Sequence, residues 1–115
     1  MHLRKPTTEF VVVGLGKGGR KFHHFDQDDT ITIEKEPDNS YDNNAIKVMA
    51  NDTFVGYIAR QYTKEVHQFL NRSDKEQQKH LFQFYLLDKY SLSARFLLID
   101  LTLAMKRKQK SLTKK

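Results

Sequence analysis

The chain of 115 residues is long enough for one domain with a modest core, and we expect no second, catalytic domain in it. It contains no cysteine, which excludes disulfides, thiol nucleophiles and cysteine-ligated zinc or iron–sulfur sites. No segment approaches the roughly 18–20 continuous apolar residues of a membrane span, and the N-terminal residues lack the apolar stretch of a signal peptide. We therefore expect a cytoplasmic protein without a membrane partner.

The net charge of +6 is concentrated at the C-terminal end of the sequence. Residues 106–115 carry six lysine and arginine side chains and no acid, so the rest of the chain is close to neutral. Such a segment can attract nucleic-acid phosphates without sequence preference and in a salt-dependent way. It can equally be a disordered, solubilising tail, and the sequence leaves both interpretations open. We assign residues 105–115 to this basic tail.

The first half of the chain predicts strands, after a loose lead-in over residues 1–9. Apolar runs and period-two alternation indicate four of them. They lie at residues 10–13, 30–36, 45–50 and 53–58. Asn51 and Asp52 predict the tight turn of a hairpin between the third and fourth strands. Gly56, inside the fourth strand, indicates a bulge or a close approach of another backbone.

A helix and two further strands are predicted in the second half. Apolar residues recur at helical spacing from Tyr62 to Leu70, and Thr63 is the expected N-cap. After a polar loop, strands are expected at residues 81–87 and 94–103, the last with Ile99 on the face opposite Asp100. The order favours a mostly β (α+β) domain over residues 10–104. We expect a small OB-like β-barrel of about six strands with one main helix after the fourth strand.

A glycine-rich loop at residues 14–19 matches the dinucleotide-binding pattern G-x-G-x-x-G, and Glu34 lies near the expected ribose-binding acid. We reject this interpretation because residues 20–29 are too few and too polar to form the phosphate-binding helix that the motif requires. The plainer alternative is a flexible cationic loop. Its candidate phosphate contacts are Lys17, Arg20 and Lys21.

No other chemistry is indicated by the sequence. Neighbouring side chains such as His23 and His24 point in different directions on an extended chain, and no second pair has metal-ligand spacing, so we predict no metal and no cofactor. No recognisable motif assembles a nucleophile, a histidine and an acid. We therefore predict that the protein is not an enzyme.

The most informative stretch is Glu36-Pro-Asp-Asn-Ser-Tyr-Asp-Asn-Asn-Ala-Ile-Lys-Val48, followed by Val55-Gly-Tyr-Ile-Ala-Arg60. It resembles the central signature of the HIRAN family, in which a strand ends in E/D-P-x-N-P-Y-D, x-N-A-I-x-V opens the next strand and V-G-Y-I-P returns as a hairpin. The opening Val12-Val13-Gly14 also fits the family's first strand. The resemblance spans about residues 10–103, and its specific part is residues 36–60.

The resemblance implies a module that binds DNA and prefers single-stranded 3′ ends. Carried over, Asn39, Tyr41 and Asp42 would grip the terminal nucleotide, with Tyr57 beside them. The chemistry is suitable, because a tyrosine ring can stack on a base and a carboxylate can accept a hydrogen bond from the terminal hydroxyl. A structural interpretation stays open, since Asx-rich loops often cap themselves and Tyr41 could plug the core.

Two departures from the family pattern concern end recognition. Ser40 stands where the family usually has proline, and Gly16-Lys17-Gly18 replaces an arginine followed by aromatic residues. Phe22, His23 or Phe25 could substitute for the missing ring. We predict a nucleic-acid-binding module acting in DNA repair or processing with a helicase or nuclease partner. The alternatives are a protein-interaction module without DNA end specificity and, more remotely, a dinucleotide-binding fragment.

Overall fold

Strands dominate the computed structural model, which describes residues 6–71 and 82–101. In chain order these residues form β1 (Thr7–Val13), β2 (Ile31–Lys35), β3 (Ile46–Ala50), β4 (Thr53–Ile58), α1 (Arg60–Leu70), β5 (Phe82–Lys89) and β6 (Ala94–Asp100). The strands make one antiparallel sheet in the spatial order β2-β3-β4-β1-β6-β5, curved into a half-barrel. The predicted mostly β fold, with one helix after the fourth strand, is confirmed.

The core lies between α1 and the concave face of this sheet. Strand β1 is central because it pairs with both β4 and β6, and its Phe10 and Val12 are fully buried. Phe10 stacks on Phe96 of β6 with ring centroids 5.6 Å apart. The helix contributes Val66 and Phe69. Burial of each such side chain stabilises the fold by about 1.5–3 kcal/mol.

The β3–β4 hairpin contains both features predicted for it. Asn51 and Asp52 have φ values of 52° and 68°, as a two-residue type I′ turn requires. Val48 pairs with Gly56 but Met49 pairs with Phe54, so β4 holds one extra residue in a β-bulge. A Cβ atom on Gly56 would lie 2.5 Å from the Val13 carbonyl oxygen, so the backbones also approach closely there.

The bulge changes which side chains of β4 share a face. Residues three apart in a regular strand point to opposite faces of the sheet. Here Phe54 and Tyr57 lie on the same outer face with ring centroids 5.2 Å apart, while Val55 and Ile58 are buried in the core. The bulge thereby creates an aromatic pair on the outside of the sheet.

Two local predictions are wrong. Strand β1 begins at Thr7, inside the predicted lead-in, because residues 7–9 pair with β6. The helix begins at Arg60 after Ala59, so Thr63 is not the N-cap; its hydroxyl donates to the Arg60 carbonyl at 2.9 Å from a buried position. The predicted alternation of Ile99 and Asp100 along β6 is confirmed, with Asp100 fully buried on the core face.

Part of the prediction lies outside the described residues. This holds for most of the predicted polar loop, for the end of the last predicted strand after Leu101 and for the basic tail. Among the described residues, no helix has the length and apolar character needed to cross a membrane.

Candidate nucleic-acid interface

Residues 36–45, which we call the Asn39 loop, connect β2 to β3 through a closed set of hydrogen bonds. At its neck the Glu36 N–H donates to the Ala45 carbonyl at 2.9 Å. The Asn39 Oδ1 atom accepts the N–H groups of Tyr41 at 2.9 Å and Asp42 at 3.0 Å, and its Nδ2 donates to Glu36 Oε1 at 2.9 Å. Two bonds use both lone pairs of that oxygen, so Asn39 organises the loop and retains one N–H for a ligand.

The two carboxylate oxygens of Asp42 have different partners, one in the loop and one at a neighbouring groove. Its Oδ1 accepts the N–H of Asn44 at 2.9 Å, which is an Asx turn. Its Oδ2 lies 3.5 Å from the Nε atom of Arg60, the first residue of α1. The Arg60 side chain is 78% exposed, so the guanidinium remains available at the groove edge.

The groove between the Asn39 loop and the first turn of α1 is open, polar and about 610 Å³ in volume. Tyr41 stands at this groove with 92% of its surface exposed. The interpretation of Tyr41 as a core plug is therefore wrong. Asn39 Oδ1 and Asp42 Oδ1 accept backbone N–H groups of the loop, whereas the tyrosine ring stays outside, where an aromatic surface can meet a base.

Tyr57 lies beneath the loop and is tied to its base. Its hydroxyl donates to Glu36 Oε1 at 2.9 Å, and the Nζ atom of Lys47 lies 3.6 Å from Glu36 Oε2. The hydrogen bond from Asn39 lowers the pKa of Glu36; burial raises it, but the bond from Tyr57 and the charge of Lys47 add to the lowering. Burial and the bond to Glu36 raise the pKa of Tyr57. Tyr57 thus supports the Asn39 loop through Glu36.

The glycine-rich loop folds around Arg20. No helix follows it within residues 14–30, as the rejection of the dinucleotide motif predicted. The Arg20 Nη2 atom donates to the Gly14 carbonyl at 2.7 Å, and the guanidinium lies 4.4 Å from the Phe54 ring centroid and 6.0 Å from that of Tyr57. Arg20 is therefore half-buried and joins this loop to Tyr57, whereas Lys17 and Lys21 are exposed.

The proposed substitutes for the missing ring lie elsewhere. Phe22, His23 and Phe25 line a smaller cavity of about 220 Å³ beside Tyr90. Phe25 is buried against Phe96 with ring centroids 5.1 Å apart, so its proposed role in base stacking is wrong. The structure does not place any of the three in the lining of the groove at Tyr41.

The histidine and aspartate segment is held by a local hydrogen bond between side chains. His23 Nε2 lies 2.8 Å from Asp29 Oδ2. Burial raises the pKa of Asp29, but hydrogen bonds from His23, the Asp26 backbone and Asn51 outweigh it and hold that pKa below its ordinary value. Within the two described stretches of chain, no three or more histidine, aspartate or glutamate side chains are grouped in a way that could hold a metal ion.

Two residues were not identified from the sequence, namely Arg60 at the groove beside Tyr41 and Phe54 on the outer face of β4. Arg60 directly follows the Val-Gly-Tyr-Ile-Ala return, and its position opposite Asp42 depends on the helix beginning there. Phe54 joins Tyr57 only because of the bulge, for which Gly56 was the available signal.

Comparison with known proteins agrees with this geometry. A family model described as the HIRAN domain matches residues 6–83. Since the match covers more than half of the chain, the chain belongs to the HIRAN family, a family of DNA-binding modules.

Among solved structures, the HIRAN domain of human HLTF is similar, with a TM-score of 0.60 and 17% sequence identity over 80% of this chain and 72% of that chain. At this identity the likeness establishes the fold. No curated protein matches the sequence.

Proposed function

We propose that the protein binds single-stranded DNA and recognises a free 3′ end in the groove between the Asn39 loop and α1. The observation that supports this most is the juxtaposition of an almost fully exposed tyrosine, Tyr41, with the Asp42–Arg60 pair in one open polar groove. An exposed ring next to a carboxylate and a guanidinium offers separate partners for a base, a hydroxyl and a phosphate.

In this proposal the terminal base stacks on Tyr41, which contributes about 1–3 kcal/mol in single-strand binders. Asp42 Oδ2 accepts a hydrogen bond from the 3′ hydroxyl. Arg60 pairs with the phosphodiester that links the last two nucleotides, and its charge offsets the repulsion between that phosphate and Asp42. A terminal 3′ phosphate would bring extra negative charge directly to Asp42, so the same carboxylate would disfavour it.

The remaining candidates have supporting roles in this proposal. Lys17 and Lys21 lie exposed on the glycine-rich loop and would attract phosphates non-specifically, while Asn39 and Tyr57 keep the Asn39 loop in shape. Binding requires no catalytic group and no cofactor, so we propose a non-enzymatic module that works with a helicase or nuclease partner in DNA repair. A cytoplasmic location stays a prediction.

The direct experiment compares one DNA hairpin carrying a single-stranded 3′ overhang with the same hairpin carrying a 5′ overhang of equal sequence. The proposal predicts tighter binding of the 3′ overhang, with the preference lost in Asp42→Ala. Equal binding of both hairpins by the wild-type chain would refute end recognition and leave general DNA binding.

A second candidate is a protein-interaction module. It is favoured by four exposed apolar side chains on β5 and the turn that follows it, namely Tyr85, Leu87, Tyr90 and Leu92. Capture of one defined partner that survives nuclease treatment and is lost on Leu87→Ser and Leu92→Ser substitution would support it. Loss of capture after nuclease treatment would refute it.

A further inference from the structure

A second open groove of about 500 Å³ adjoins the first along α1, with Lys64, His67 and Asn71 in its lining. Asn44 lines both grooves, so one surface passes from the Asn39 loop onto the helix. The His67 Nε2 atom donates to the Asn44 carbonyl at 2.9 Å, which holds the loop against α1 at the point where the two grooves meet. The two grooves are therefore joined by a fixed contact.

The polar residues of this surface form one stripe on the helix. Arg60, Lys64, His67 and Asn71 are spaced by four, three and four residues, which places them on one face of an α-helix. The buried residues Val66 and Phe69 lie on the opposite side, toward the core, whereas Thr63 lines the first groove beside Arg60. The stripe thus faces solvent and carries two permanent positive charges, on Arg60 and Lys64.

The far end of the stripe carries a third positive charge. Lys35, the last residue of β2, donates from Nζ to Asn71 Oδ1 at 2.6 Å. The C-terminal end of a helix bears a partial negative charge that opposes a phosphate nearby. Lys35 supplies the opposite charge at that end, so a positive side chain stands at each end of the stripe, with Lys64 between them.

We infer that this second groove is the path of the DNA strand leading to its 3′ end, with Lys64 and Lys35 pairing with backbone phosphates beyond the terminal nucleotide. The inference rests on the proposed function, because the strand enters from the Asn39 loop. At about 1.5 Å per residue, Lys64 lies about 6 Å and Asn71 about 16 Å along α1 from Arg60. That length accommodates roughly two or three further phosphates of a partly extended strand.

The test compares a thymidine dinucleotide with a thymidine pentanucleotide, both with a free 3′ hydroxyl, in the full chain and in Lys64→Gln. Glutamine has a helix propensity close to that of lysine, so α1 is retained. Lys89→Gln is the matched control, because it removes the same charge from an exposed lysine on β5, at the opposite edge of the sheet from β2.

We expect Lys64→Gln to weaken pentanucleotide binding on the order of fivefold to tenfold at low salt while changing dinucleotide affinity less than twofold. The slope of log affinity against log salt for the pentanucleotide should fall by about 0.7, the value for one lost phosphate contact on a single strand. Tyr41→Ala, in contrast, should weaken both ligands.

If Lys64→Gln binds the pentanucleotide as tightly as the wild type, the inference is overturned. The proposed function would still stand in that case, provided that the dinucleotide binds. Equal losses in Lys64→Gln and Lys89→Gln would also overturn the inference, since any cation would then serve. If the wild-type chain binds neither oligonucleotide, the proposed function fails and the inference fails with it.

Discussion

Truncation of Tyr41 separates ligand binding from stability more cleanly than any other change in the Asn39 loop. The side chain is 92% exposed, so Tyr41→Ala removes almost no buried area, and the free energy of unfolding should change by no more than about 0.5 kcal/mol. Loss of one base–aromatic stack should cost about 1–3 kcal/mol of binding free energy, equivalent to a weakening of about 5-fold to 150-fold. Tyr41→Phe keeps the ring and should bind like the wild type.

The assay is fluorescence anisotropy with a 5′-labelled single strand, together with chemical denaturation of the same preparations. Tyr85→Ala is the control, because it removes a partly exposed ring from β5, away from the groove. If Tyr41→Ala binds within twofold of the wild type, or if Tyr85→Ala loses as much affinity, Tyr41 is not the stacking platform and the reasoning fails.

Three further changes test the contacts that hold the Asn39 loop and strand β4 in place. Asn39→Ala should lower the free energy of unfolding by about 1–3 kcal/mol and also weaken DNA binding, because the N–H groups of Tyr41 and Asp42 lose their acceptor. An unchanged free energy of unfolding, measured by chemical denaturation, would contradict this. The pKa of Glu36 is lowered from 4.5 in the folded state, so its stabilising contribution is present above pH 4.5 and is lost as the pH falls through the folded pKa. Thermal melts below pH 4.5 should therefore show Glu36→Gln to be less acid-sensitive than the wild type. Parallel plots of melting temperature against pH for the two proteins would disprove the assignment. Gly56→Ala should lower the free energy of unfolding by about 1–3 kcal/mol, since its Cβ atom would meet the Val13 carbonyl oxygen; a change of less than about 0.5 kcal/mol would refute the close approach.

The local elements of the fold were predictable because their signals are local. Alternating apolar residues identify β2 and β3, and Asn51-Asp52 identifies the hairpin turn. The N-terminal part of β1 was missed because Thr7 to Glu9 become a strand only through pairing with β6, which is distant in sequence. Arg60 and Gln61 were missed in α1 because both are exposed and carry no apolar periodicity.

The loop at the candidate site was identified by its resemblance to a family signature, but its internal organisation could not be predicted from the sequence. Asn39 could have met a base or its own backbone, and only the structure shows its oxygen accepting two backbone N–H groups. The same holds for Arg20, whose contact with Phe54 depends on a folded-back loop and on a bulge in another strand. Phe25 was offered as a substitute for the aromatic ring missing from the family pattern, yet it is buried against Phe96.

The chemistry proposed for Asp42 is tested most directly by titrating the full chain with two single strands that differ only in a free 3′ hydroxyl or a 3′ phosphate, at two salt concentrations. The account predicts tighter binding of the free hydroxyl at both concentrations and loss of this preference in Asp42→Ala. Equal binding of both strands, falling steeply with salt and abolished by removal of residues 106–115, would contradict it, because the basic tail would then supply the affinity.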